Sequence, residues 1–362
     1  MRILGIMSGT SADGLDCCDV ELDIDSNYNL KFEVLKFATI PYSKSEKEFL
    51  LSAREGDYES PYLSTKITEL FILKIQAFSK NSKFDIVACH GHTVKHIDKV
   101  LSIQLLDQRL LYEKFKVPII YNFRANDILI SGTGAPLMPF LDWLLFSSID
   151  REVLTLNVGG ISNVTYIPRG GGREKVIGFD TGPGMSLVDK AVKRIFNEPY
   201  DINGKYSEKG EVDIDLLSNL IKNDYITKLP PKSTDIEEFG DKFLDKIISM
   251  NKSLDSYSLI RTLIQFTVDS IHYNIMKFIN LGDMDCELVY SGGGTEHPVL
   301  VEGLIEKDFN ISPISKYGID SSIKEALLIA LLGACRELNL NSNMPSVTGA
   351  NSYCVLGDIY NG

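Results

Sequence analysis

Short apolar runs that stop at glycine-rich turns alternate along this chain with stretches whose apolar residues return every three or four positions. MRILGIM (Met1–Met7) predicts a buried strand running straight into the turn SGTSADG. Cys17–Ile24 alternates apolar and polar residues, and Lys31–Ile40 is a further β-rich run. With the first strand they predict an antiparallel set joined by turns at Gly14 and at Ser26-Asn27. Leu63, Ile67, Leu70, Phe71 and Phe78 place a helix over 60–79. FDIVACHG (Phe84–Gly91) reads as a strand ending in a turn, Asp107–Phe115 as a helix, and VPIIYNFR (Val117–Arg124) as the next strand.

A second round opens at Glu152. Residues 152–167 give a strand, the turn Gly159-Gly160 and a second strand, and 174–184 give a third that runs into FDTGPG. Leu187, Val188, Ala191, Val192 and Ile195 predict a helix over 186–196. Residues 213–248 read as helical with a break at Pro230-Pro231, and 258–279 as a long amphipathic helix. CELVYSGGGTEHPVL (Cys286–Leu300) is a strand, a glycine turn and the start of a helix at Pro298; 322–338 is a last strong helix.

Strands first, then helix and strand in alternation, is the order of a ribonuclease-H-like domain, and here it occurs twice. The expected fold is therefore α/β: two ribonuclease-H-like lobes with mixed sheets flanked by helices and a cleft between them. The first lobe is expected at 1–128 with about 340–362 returning to it, and the second at 129–339. The glycines and prolines of Ala125–Pro139 serve as linker.

At 362 residues and 44% hydrophobic, the chain is long enough for two such lobes. Its formal charge of −12, without basic clusters, disfavours nucleic acid or anionic membrane as partner. No stretch reaches membrane-spanning length without charges. The six cysteines show neither a C-x-x-C pair nor zinc-like spacing, which fits a reducing cytoplasm.

The chemistry is expected at the four glycine turns, where bare backbone N–H groups approach an anion closely. None matches the P-loop pattern, and GTGAP lacks the third glycine of the dinucleotide fingerprint. As a set they suggest a nucleotide clamped between two lobes, hence an ATP-dependent phosphotransferase. Asp180, closing the strand VIGF, is placed as a general base, its plainer role being an Asx-turn or helix cap. Asp13 and Asp16 are hairpin-turn acids or partners of Mg²⁺ and its waters. His90, His92 and His96 lack an acidic or thiol ligand at metal spacing, so no metal site is assigned; His90 is placed facing substrate. Arg124 meets a phosphate or carboxylate, or pairs with Asp127. Glu325 is a first-turn partner of the helix dipole or an acid for sugar hydroxyls.

MSGTSADGLD, HGHTV, NFRANDILISGTGAPLMP, NVGGISNVTYI, GFDTGPG, LPPKST, SGGGTEHPVL, KEALLIA and PSVTGANS occur in this order over nearly the whole chain. Together they resemble the anhydro-N-acetylmuramic acid kinases, a branch of the superfamily of acetate and sugar kinases, heat-shock chaperones and actin. The resemblance implies that a water deprotonated by Asp180 attacks the anomeric carbon of a 1,6-anhydro amino sugar. ATP with Mg²⁺ then phosphorylates the bridge oxygen that is released, giving N-acetylmuramic acid 6-phosphate for cell-wall recycling. It implies that Gly9, Thr10, Ser11, Asp13, Gly14 and Asp16 line the ATP phosphates and that Gly159 and Gly160 form a second phosphate turn. Gly292, Gly293 and Gly294 then lie on the adenosine side, with His90, Arg124 and Glu325 facing the sugar. A cytoplasmic homodimer is implied as well. The chain departs from the usual family pattern at His92, Leu106, Asn122, the turn Ser131–Gly134, Met185 (usually Asn), Asp235 and His297 (usually Asn). Met185 and the Ser131–Gly134 turn are expected beside the sugar. They leave open a paralogous kinase of another sugar or sugar acid, or a catalytically silent nucleotide-binding regulator.

Overall fold

A computed structural model describes residues 1–54, 56, 60–234, 238–281 and 286–362. Asp235 and part of the 213–248 segment lie outside the described residues. Strands β1 (Arg2–Ser8), β2 (Gly14–Ile24) and β3 (Leu30–Pro41) form the antiparallel set that the alternation predicts. Helix α1 (Lys44–Ser52) starts at a reciprocal cap between Ser43 and Glu46. Helix α2 (Pro61–Phe78) buries Ile67, Phe71, Ile75 and Phe78. β4 (Ile86–Ile97) runs parallel to β1. It does not stop at Gly91, which takes φ +79°, but continues to pair with β5 (Leu101–Leu105). Polar residues separate Val94 and Ile97 in that continuation, so no apolar run announces it. α3 (Gln108–Phe115), capped by Asp107, leads to β6 (Ile119–Tyr121), parallel to β4. The expected linker is itself folded, with α4 (Ala125–Leu129) and the start of α5 (Met138–Phe146).

The second round repeats the first. β7 (Glu152–Val158), β8 (Ile161–Ile167) and β9 (Ile177–Pro183) are antiparallel, and α6 (Ser186–Phe196) follows. Next come α7 (Ile214–Leu220), α8 (Asp224–Thr227), α9 (Asp241–Met250) and the long α10 (Ser256–Phe278). β10 (Cys286–Ser291) lies parallel to β7, α11 (Pro298–Ile305) starts at Pro298, and β11 (Asn310–Pro313) is parallel to β10. The chain ends with α12 (Lys324–Glu337), α13 (Pro345–Thr348) and β12 (Asp358–Tyr360), which pairs with β6.

The sheets run β12-β6-β4-β1-β2-β3, with β5 on β4, and β11-β10-β7-β8-β9. Three antiparallel strands followed by two parallel ones on the other side of the first is the same order in both, so the duplication read from the sequence is real. Each sheet has its own apolar core, one built around Leu4, Phe71 and Val87, the other around Leu156, Val188, Phe266 and Leu300.

Contacts divide the chain into two compact units, Met1–Leu145 with Ser322–Gly362, and Phe146–Ser321. Residues 129–145 and 322–339 thus pack in the first unit, where the sequence reading had them in the second. Helix α12 explains the difference. It lies on the bare backbone of β1, so closely that a Cβ on Gly5 would come 2.1 Å from the Ala326 carbonyl oxygen.

Candidate functional site

In the first unit, the turn after β1 presents Gly9, Thr10 and Ser11 to solvent. Asp13 is exposed and paired with Lys47. Gly14 is no turn residue: it sits buried at the start of β2, where a Cβ would meet Thr39 at 2.7 Å. Its glycine is a packing requirement of the sheet. Asp16 is half-buried and accepts a hydrogen bond from Thr39; burial, the larger effect, raises its pKa.

Glu325, in the first turn of α12, keeps an accessible carboxyl. The protein around it and then Asp16 push its pKa up, while Arg124 and Lys324 draw it down. Lys324 itself is buried in an ion pair with Asp142, 2.8 Å apart. The Arg124 guanidinium donates from Nε to His90 Nε2 (3.0 Å) and from Nη1 to the Gly134 carbonyl (2.9 Å). It does not take Asp127, the partner the sequence offered. Asp127 is fully buried and instead accepts from the Gly134 N–H, Asn343 Nδ2 and Thr348 Oγ1, which fixes the Ser131–Gly134 turn against α13. His90 is buried, with Nε2 taken by Arg124; burial and that cation lower its pKa to about 3, so the ring is neutral. Its Nδ1 lies 3.3 Å from the Gly91 carbonyl, so both ring nitrogens are engaged within the protein. His92 is likewise neutral, lowered to about 4 by burial, and faces Ser8 Oγ at 3.2 Å.

In the second unit, Asp180 is not at the end of its strand. β9 continues through Pro183 and is itself bulged at Thr181, the extra residue between Asp180 and Gly182, which face Asn163 and Ser162 of β8. The half-buried Asp180 is held from several sides. Thr234 N–H donates to its Oδ2 (2.9 Å), its own N–H donates to the Lys232 carbonyl (3.2 Å), and Tyr225 Oη donates to its carbonyl (3.0 Å). The nearby Lys232 ammonium is buried among the rings of Phe179, Tyr225 and Phe278 and donates to the Tyr225 and Ile226 carbonyls. Burial lowers its pKa to about 8, against the pull of Asp180.

The rest of FDTGPG is tied to α10. Ser270 Oγ and Asn274 Nδ2 donate to the Thr181 carbonyl, and Thr267 Oγ1 donates to the Gly184 carbonyl. These three, with Lys232 and Thr234, hold the FDTGPG segment in place, and the sequence reading missed them. Their signal was three polar residues, at spacings of three and four, on the buried face of a helix read only as amphipathic.

Gly159 and Gly160 cap β7 as Gly9 and its neighbours cap β1, at the equivalent place in the second sheet. They line a cavity of about 440 Å³ together with Met185, Asp189, Asp201, Gly293, Gly294 and His297. Met185 therefore lies on the wall built by the second-unit glycine turns; a Cβ on Gly294 would come 2.8 Å from its Cγ. Asp189 is raised to about 6, first by burial and then by Asp201, with His297 opposing. A raised carboxyl pKa means that this group's contribution to stability is full below about pH 4 and is lost as pH rises through about 6. Asp189→Asn should accordingly be more stable than the parent at pH 7.5, by about 1–2 kcal/mol. The gap should close towards pH 4; thermal unfolding across that range measures it, and a gap independent of pH refutes the assignment.

Three of the turn glycines are not required by the fold. A Cβ on Gly9 or Gly159 would meet no atom nearer than 3.7 Å, and on Gly293 none within 4 Å. None of the three has positive φ. The space beside each of them is open. Gly9→Ala should keep the parent's melting temperature and raise the KM for nucleotide about tenfold or more. An unchanged KM would remove Gly9 from the phosphate cradle.

Among the described residues no helix is long and apolar enough to cross a membrane. The whole chain, residues 1–362, matches the family described as "Anhydro-N-acetylmuramic acid kinase". Relatives of that name from Clostridioides difficile and Bacillus thuringiensis subsp. konkukian are each 33% identical over 99% of this chain, covering 98% and 99% of theirs. One from Salinibacter ruber is 31% identical over 99% of this chain and 95% of its own.

Proposed function

Because the chain belongs to the anhydro-N-acetylmuramic acid kinase family, we infer that it is an ATP-dependent sugar kinase that opens 1,6-anhydro-N-acetylmuramic acid with water and phosphorylates its 6-oxygen. The observation that carries this reading beyond the family match is the seating of Asp180. It is a partly exposed carboxylate, oriented at Oδ2 by one backbone N–H and accompanied by a buried cation.

In this reading Asp180 takes a proton from water as the water's oxygen bonds to the anomeric carbon. The bond from that carbon to the bridge oxygen breaks, and the freed oxygen takes the γ-phosphoryl group of ATP, leaving ADP. Arg124, held by His90 and Gly134, supplies a fixed positive charge for an anionic group of the sugar. Glu325, accessible and with a raised pKa, hydrogen-bonds sugar hydroxyls. The Gly9 turn, with Thr10 and Ser11, meets the phosphates, as does the Gly159-Gly160 turn, whose Gly159 N–H is held on the Ile161 carbonyl (3.1 Å), and Gly292–Gly294 meet the nucleoside.

Mg²⁺ and its waters fit the hard oxygen donor Asp16, half-buried beside the first-unit turn; the ion would supply charge neutralisation at the phosphates. The same reading places the protein in the cytoplasm as a homodimer, which light scattering of the purified chain tests.

The deciding experiment incubates the protein with ATP and purified 1,6-anhydro-N-acetylmuramic acid in ¹⁸O-water. The expected product has gained one water and one phosphoryl group, with the heavy oxygen at the anomeric carbon. No product with this sugar, but phosphorylation of another amino sugar, would overturn the substrate.

A further inference from the structure

One buried group in the second-unit cavity is left without work by that reaction. His297 is 7% exposed and lines the cavity beside Asp189 and Asp201. Its Nε2 lies 3.2 Å from Asp201 Oδ2. The Asp201 carboxylate also accepts from the backbone N–H groups of Tyr206 (2.8 Å) and Ser207 (3.1 Å). Burial opposes its ionisation, but the hydrogen bonds from His297, Ser207 and Tyr206 win and hold its pKa at about 2. An ionised acceptor at Nε2 makes that nitrogen a donor and leaves Nδ1, on the other edge of the ring, for a different partner. Nδ1 is buried and has no hydrogen-bond partner. Buried polar groups are rarely left so without a reason, and a ligand that completes the bond is one.

The cavity also says what kind of ligand. Gly159, Gly160, Gly293 and Gly294 provide backbone for phosphates, while Met185, Tyr200 and Ile202 provide apolar and ring surface. That is a wall for a flat base and its ribose next to a phosphate turn. We propose that His297 is a specificity-determining residue for the nucleotide: Nδ1 makes a hydrogen bond with a hydroxyl or amino group of the nucleoside. Asp201 is the positioning residue that fixes the orientation of its ring. The proposal rests on the reading of the chain as a nucleotide-dependent kinase. An Asn at this position would still offer a hydrogen-bonding side-chain amide, so His297→Asn keeps the contact that His297→Phe removes.

The test compares the parent with His297→Phe and His297→Asn, using ATP, 2′-deoxy-ATP, 3′-deoxy-ATP and purine riboside triphosphate, which lacks the 6-amino group. His297→Phe should raise the KM for ATP about tenfold while kcat and the sugar KM stay within about twofold. His297→Asn should restore it. The analogue lacking the recognised group should show no difference between parent and His297→Phe, and which analogue that is separates ribose from base. An unchanged ATP KM, an equal rise for every nucleotide, or a rise in the sugar KM instead would overturn the proposal. Should His297→Phe fail to fold, the His297 imidazole ¹⁵N resonances of the parent decide: Nδ1 should shift on adding ATP and not on adding sugar, and no shift with ATP refutes the contact. A parent that phosphorylates nothing with any nucleotide fails the underlying kinase reading; a working parent with an indifferent His297 fails this inference alone.

Discussion

Asp180→Asn should lower kcat by about a thousandfold or more while ATP binds as before. The change is nearly isosteric, and the amide oxygen of Asn still accepts from the Thr234 N–H that orients Oδ2. The backbone bonds to Lys232 and Tyr225 do not involve the side chain at all. What disappears is the ability to take a proton from water, together with the negative charge beside Lys232. The fold and the glycine turns stay as they were, so calorimetric titration with ATP should give the parent's dissociation constant. A coupled assay of ADP release reads the loss. Normal turnover by this variant would mean that another group deprotonates the water, and the mechanism above would fall with it.

How far this site could be read in advance depended on the kind of residue. α6 begins and ends where Leu187, Val188, Ala191 and Val192 predict, because an amphipathic helix writes its buried face into the local sequence. The doubled order of strands was legible for the same reason. The anchors of Asp180 were not, because Thr234, Lys232 and Tyr225 meet it across 45 to 54 residues of chain, and nothing local marks that meeting. Asp127 shows the converse error. Its neighbour Arg124 suggested an ion pair, yet three donors from Gly134, Asn343 and Thr348 take the carboxylate first. The glycines divide in a way that no motif reveals. Gly14 is small because β3 presses on it, whereas Gly9, in the same motif, faces open space. Whether a glycine serves the fold or a ligand is decided by what stands opposite its missing Cβ.

Gly184 turns that distinction into the second large expected effect. It ends FDTGPG, and its N–H donates to the Gly160 carbonyl (2.9 Å), with Met185 N–H donating to the Gly159 carbonyl (2.8 Å). The loop after β9 is thereby stitched to the turn after β7. A Cβ on Gly184 would stand 2.2 Å from the Gly159 carbonyl oxygen and 2.9 Å from the Ile161 carbonyl carbon. Both obstacles are backbone, and real Cβ atoms do not approach so closely, so the two segments must part. Gly184→Ala should therefore break the stitch, lose about 2–4 kcal/mol of stability and remove the Gly159-Gly160 N–H groups from their present place. Stability and nucleotide affinity fall together here, in contrast to Gly9→Ala, where only affinity should fall. Urea unfolding and ATP titration on both variants read the contrast. A Gly184→Ala protein as stable as the parent would show that the two turns are not locked to one another, and the cavity wall they share would lose its physical basis.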